Sequence, residues 1–189
     1  MSTKEGVYCP IVSDDYELCH PVCASDFAVM RDRIDGTRRS QFWTPISMEI
    51  ITTSDLGRKL SVSDSPWLAS YALIFRDRVV DSIGDYLLRY GELLPLICPN
   101  AGLWVLNPLV VVDAIDEAAS TVMRLPSGKI HTINRHVFRP KIVEGLEIFK
   151  ATTMRSSRTY VSHKFVDRWH QSGFEGLDFV HLWSPCQSQ

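Results

Sequence analysis

The amino-acid sequence predicts an α+β fold: a mixed or mostly antiparallel sheet with two main amphipathic helices. Three observations point there. Residues 70–96 read as strand, helix, strand. A shortened form of that unit returns at residues 159–183. The remaining segments are mostly short β-type runs separated by turn signals, so strands outnumber helices. A doubly wound parallel sheet would need more strand–helix alternation than the chain offers.

Residues 1–25 are mixed and contain Pro10 and Pro21, with a strand-like piece at residues 6–9. Residues 26–34 predict one or two helical turns, with Phe27, Met30 and Ile34 on one side. A polar loop follows at 36–40. Arg31, Arg33, Arg38 and Arg39 make the most basic local patch; Asp32 and Asp35 dilute it, and a solvated surface is the expected reading. In residues 43–53 Ile46, Met48, Ile50 and Thr52 alternate with Ser47, Glu49, Ile51 and Thr53, a β-type period. Gly57 turns the chain, residues 58–62 return, and Trp67 is expected as a core anchor.

The first unit organises the chain. Residues 71–75 form an apolar run suited to a buried strand. Val79, Val80, Ile83, Leu87 and Leu88 then recur at helical steps, predicting about four turns at 3.6 residues per turn. Gly91 stands where a left-handed helix end favours glycine. Residues 92–97 read as a strand that Pro95 confines to a sheet edge or bulge.

Residues 99–102, PNAG, predict a hairpin between the flanking apolar runs. Residues 110–117 continue as strand or short helix. Residues 121–125 and 129–138 flank PSG at 126–128, a second hairpin. Pro140 opens one helical turn, 147–150 forms a short strand, and 152–158 is the most linker-like stretch. In the second unit Ser162 is an expected N-cap. Phe165, Val166 and Trp169 give helical spacing, and residues 177–183 alternate as a strand. Aligning Arg78-Val-Val-Asp81 with Lys164-Phe-Val-Asp167 superposes the two units. The expected core includes Leu94, Leu96, Leu103, Val105, Phe138, Ile148, Phe149 and Phe179.

The 189 residues suit a single domain over 1–189, 45% apolar and 22% charged. A net charge of −2 supplies no basic excess for phosphate binding, so direct nucleic-acid contact is not expected. No apolar run approaches the ~20 residues a bilayer requires. The N-terminal MSTKEGVYCP has no apolar signal core, and the expected address is the cytoplasm. The five cysteines (Cys9, Cys19, Cys23, Cys98 and Cys186) are expected as free thiols. Cys9, Cys19, His20 and Cys23 lack the spacing of a common structural zinc site, so no metal and no cofactor is expected.

The chain contains no phosphate loop, dinucleotide fingerprint, nucleophile elbow, HExxH pair or calcium loop. His131 and His136, five apart on a strand, would point to opposite faces. The acidic run holds Asp113, Asp116 and Glu117. As structure, Asp113 would cap a helix and Asp116 would complement its dipole; as function, the run would face a partner. No catalytic residue is assigned.

The ordered motifs ELLP at 92–95, Asn107, VDAIDEAAS at 112–120, GKI at 128–130, HVF at 136–138 and IFK at 148–150 carry a resemblance. Tyr160-Val-Ser162, Phe165, Gly173, Gly176-Leu177, Phe179 and Leu182-Trp183 extend it. Their order and spacing resemble a bacterial family of immunity proteins of polymorphic toxin systems, formerly a domain of unknown function. The likeness defines an immunity-like region at 41–185 and leaves residues 1–40 uncovered. It implies an intracellular protein, encoded beside a secreted toxin, that binds and neutralises that toxin, in this family often a nuclease. An acidic surface would suit a nuclease's electropositive site, and Asp113, Asp116 and Glu117 are the expected partner-binding residues. Two other classes compete. An enzyme assembling Asp113, Asp116, His131 and His136 would need a deep pocket of convergent, pKa-shifted groups. A regulatory binding domain would lack a toxin gene beside its own.

Overall fold

The computed structural model describes residues 3–66, 69 and 71–185; Trp67 and Cys186 lie outside the described residues. The chain order is β1 (Val7–Val12), β2 (Leu18–Pro21), α1 (Asp26–Arg33), β3 (Met48–Ile51), β4 (Leu73–Arg76), α2 (Asp77–Leu87), β5 (Gly91–Leu96) and β6 (Leu103–Pro108). It continues β7 (Val111–Val112), β8 (Thr121–Arg124), β9 (Ile130–Arg135), α3 (Pro140–Val143), β10 (Ile148–Ala151), β11 (Tyr160–Ser162), α4 (His163–Gln171) and β12 (Leu177–Trp183). The fold is α+β, with antiparallel and mixed sheets.

The two strand–helix–strand units share a topology. In one, β4 and β5 flank β6, each antiparallel to it. In the other, β11 and β12 flank β1, again antiparallel. Each unit thus has an antiparallel strand inserted between its own two strands, but β6 follows its unit in the chain and β1 precedes its own. The alignment read from sequence holds in space. Arg76 and Ser162 are the extended residues that cap α2 and α4. Val79 and Phe165 are buried at equivalent positions, as are Ile83 and Trp169. Strand β10 pairs with β11, and β7 adds to β10 in parallel, which completes a five-stranded sheet ordered β12-β1-β11-β10-β7.

Period-2 alternation explains the layers. Leu73, Phe75 and Leu106 of the three-stranded sheet, with Ile148 and Val161 of the five-stranded one, face a shared cluster filled by α2 and α4. Phe75 and Phe165 lie 6.0 and 6.3 Å from the Trp169 ring, and Arg168 of α4 sits 4.2 Å over the Tyr86 ring of α2. On the opposite face of the smaller sheet, Ile74, Leu94, Leu96, Leu103 and Val105 pack with Met30, Ile34, Ile46 and Met48 from the N-terminal segment. On the outer face of the larger sheet, Phe149, Ala151 and Tyr160 pack with Ile115, Ile130, Ile133 and Phe138. The N-terminal segment is therefore integral, since β1 sits inside the five-stranded sheet. Pro10 is tolerated there because β11 pairs with β1 only at Val7 and Tyr8.

Some expectations need correction. Helix α2 has eleven residues and breaks at Ile83 (φ −129°, ψ 17°), inside a Ser-Ile-Gly sequence that weakens helical continuity. Gly91 is absent from the left-handed glycines; it opens β5, and a Cβ there would collide with Asn107 O. Residues 152–158 are no linker: Thr152–Met154 form a 3₁₀ turn, Met154 is buried, and Arg155 binds the loop after α1. Phe179 is only partly buried, at the rim against Phe165 and Trp169. The other seven expected core residues are buried. Pro95 does lie on an edge strand, β5.

Candidate partner-binding face

The acidic run follows β7 and crosses the outer face of the five-stranded sheet. No helix forms there, so the capping role expected of Asp113 is not realised. Its carboxylate instead pairs with Arg139, whose guanidinium also donates to Asp113 O at 3.1 Å. Asp116 Oδ1 accepts from Ala119 N at 3.1 Å and closes a turn. Glu117 pairs with Arg124 of β8, and Arg135 of β9 donates to Ala119 O at 2.6 Å. Beyond β7 an isolated antiparallel bridge joins Ile115 to Phe138, three residues past the end of β9. The face therefore mixes carboxylates with arginines. Exposed Met123 and Leu125 on the hairpin and Ile142 on α3 add apolar area.

The hairpin holds this layer down with few contacts. Ile130 and Ile133 are buried against Phe138, while Val122 is half-buried. A cleft of about 530 Å³ lies between the α3–β10 connection, the start of β1 and the first turn of α4. Glu5, Glu144 and Glu147 line it together with Lys141, His163 and Lys164. Glu147 Oε2 accepts from Tyr86 Oη at 2.9 Å, which ties the cleft wall to the helix pair.

The strongly shifted groups do not converge in that cleft. His131 is exposed on β9, and His136 is buried just past the end of that strand. His136 stacks on Phe138, and its Nε2 lies 3.4 Å from Tyr160 Oη. Burial, aided by Arg158, lowers its pKa to about 4. As pH falls from 6.5 toward 4, the unfolded chain takes up a proton that the native state resists, so stability drops through that window, by up to about 1.4 kcal/mol per pH unit. Urea midpoints at pH 4.5, 5.5 and 6.5 should show this slope, and His136→Leu should reduce it.

Lys150 is fully buried on the sheet face toward the helices. Its Nζ donates to Tyr71 O at 2.9 Å and Arg158 O at 3.5 Å, and burial lowers its pKa to about 7. It bridges the two sheets rather than meeting a substrate. Cys19, Cys23 and Cys98 are free thiols, and among the described residues no three His, Cys, Asp or Glu side chains gather to hold a metal.

Residues 92 and 107, which the sequence offers only as members of the ordered motifs, hold a loop in place. Glu92 and Asn107 face each other across the β5–β6 ladder, both buried. Together they grip the loop between α1 and β3. The signal was present in the sequence as a lone carboxylate and a lone amide, each within an otherwise apolar strand.

Residues 99–182 match the model of the Imm11 immunity protein family. The match spans the acidic run, the β8–β9 hairpin, α3 and most of the C-terminal unit. The chain has no match among curated proteins.

Proposed function

From the Imm11 match over residues 99–182 we propose that this chain is an immunity protein: it binds a cognate secreted bacterial toxin and neutralises it by direct contact, in the cytoplasm. The match itself carries the reading, because it covers the mixed-charge layer from Asp113 to Ile142. The toxin class we infer is a nuclease. Its phosphate-attracting site would meet Asp113, Asp116 and Glu117, with the neighbouring arginines and exposed Met123 and Leu125 completing the contact. The chain acts by binding, not by catalysis, since its shifted groups serve the packing between elements.

Changing Asp113 and Asp116 to Asn and Glu117 to Gln should slow association with the toxin encoded beside this chain's gene. Rim charges act mainly on encounter, so the difference should be largest at low salt and shrink once the Debye length falls to about 8 Å. Stopped-flow association at two salt concentrations tests it. Equal rates at low salt would remove the run from the interface.

A further inference from the structure

The loop between α1 and β3 is exposed at its tip and tightly held at its base. Gly36 N donates to Asn107 Oδ1 at 3.0 Å, and Asn107 Nδ2 donates to Thr37 O at 2.8 Å. Arg39 N and Ser40 N donate to the two oxygens of Glu92 at 2.6 and 3.1 Å, and Asn107 Nδ2 donates to Glu92 Oε1 at 2.9 Å. Burial pushes the Glu92 carboxyl up, but these bonds outweigh it and hold its pKa below the ordinary value. Beyond the tip, Trp43 Nε1 donates to Pro95 O at 2.7 Å. Arg155 Nε donates to Asp35 O at 2.9 Å from the far side. Gly36 has φ +85°, and a Cβ there would collide with Val111 of β7. The loop thus rests on the same sheet edge from which the acidic run departs two residues later.

Between these anchors stand Arg38, Gln41 and Phe42, all exposed, with Phe42 85% exposed. An aromatic ring in water on an ordered loop forgoes the stabilisation that burying it would contribute. A loop already ordered also loses little further freedom on binding. Aromatic and arginine side chains are the commonest interface anchors. Residues 31–39 carry four arginines and two aspartates, so the complementary surface is acidic. Single-stranded nucleic acid fits less well, because it calls for successive stacking rings in a basic groove and this loop tip offers one ring.

We propose that residues 36–43 are the specificity element of toxin recognition, with Phe42 entering an apolar pocket of the toxin and Arg38 meeting carboxylates at its rim. This rests on the toxin-binding reading above. The test is calorimetry of the purified neighbouring toxin against wild type, Phe42→Ala, Arg38→Glu and, as a control on another turn, Leu56→Ala. Phe42→Ala should weaken binding by about 30-fold or more and Arg38→Glu by about 10-fold, with Leu56→Ala unchanged. Wild-type binding with both loop variants within about twofold would overturn the inference and leave toxin binding intact. No wild-type binding would remove the toxin-binding reading and this inference together. A single-stranded DNA oligonucleotide that binds wild type but not Phe42→Ala, with toxin affinity unchanged, would reassign the loop and overturn the proposal.

Discussion

Trp169→Ala is expected to destabilise the protein by about 3–5 kcal/mol, a large share of the 5–15 kcal/mol typical of a folded domain. Trp169 is 1% exposed and packs against Phe75, Phe165, Phe174 and Phe179. It joins α4 to the strand that feeds α2, so its removal opens a cavity between the two strand–helix–strand units rather than at a rim that could collapse. For a chain of this size the melting temperature should fall by roughly 6–20 °C. Phe179→Ala, on the rim of the same cluster, should cost clearly less. Thermal unfolding of the two variants side by side checks the layer assignment; equal losses would contradict it.

Lys150→Met should change how stability depends on pH. Burial lowers the Lys150 pKa from 10.5 to about 7, with Asp35 opposing and Arg155 adding to the shift. Below pH 7 both states hold the proton, and the native state bears the full cost of a buried ammonium. From pH 7 upward the unfolded chain holds a proton that the native state has released, so stability rises with pH, by up to about 1.4 kcal/mol per unit. The unfolded Cys19 thiol is half-ionised by pH 9 while burial keeps the native one protonated, which acts in the opposite sense. The window from pH 7 to 8 therefore isolates Lys150. Lys150→Met should flatten the profile there and be the more stable protein at pH 6, because Tyr71 O keeps its bond from Thr159 Oγ1 at 3.2 Å. Urea midpoints at pH 6, 7 and 8 decide it. An unchanged slope in the variant would mean that another group is responsible.

The two strand–helix–strand units were legible from their apolar runs and helical spacing, and in the second from Ser162, which accepts from Lys164 N at 3.2 Å. The hairpins were legible from PNAG at 99–102, between β5 and β6, and from PSG at 126–128, between β8 and β9, where Gly128 is left-handed. What sequence could not supply was long-range pairing. Nothing local announces that β1 enters between β11 and β12, or that β7 joins β10 in parallel. Of the readings open for the acidic run, the helix start is not the one the chain takes: Arg139, distant in sequence, engages the Asp113 carboxylate instead. The loop at 36–40 was legible, but its hold by Glu92 and Asn107 was not, since these anchors lie more than fifty residues away.

The central claim is that this chain neutralises a toxin by holding it. The most direct measurement co-expresses the chain with the product of the neighbouring gene, then follows both growth and the mass of the purified complex. The account predicts that growth, arrested by the toxin alone, is restored by this chain, and that the two proteins elute together as a stoichiometric complex. Restored growth without a complex, or a neighbouring product that neither arrests growth nor binds, would contradict it.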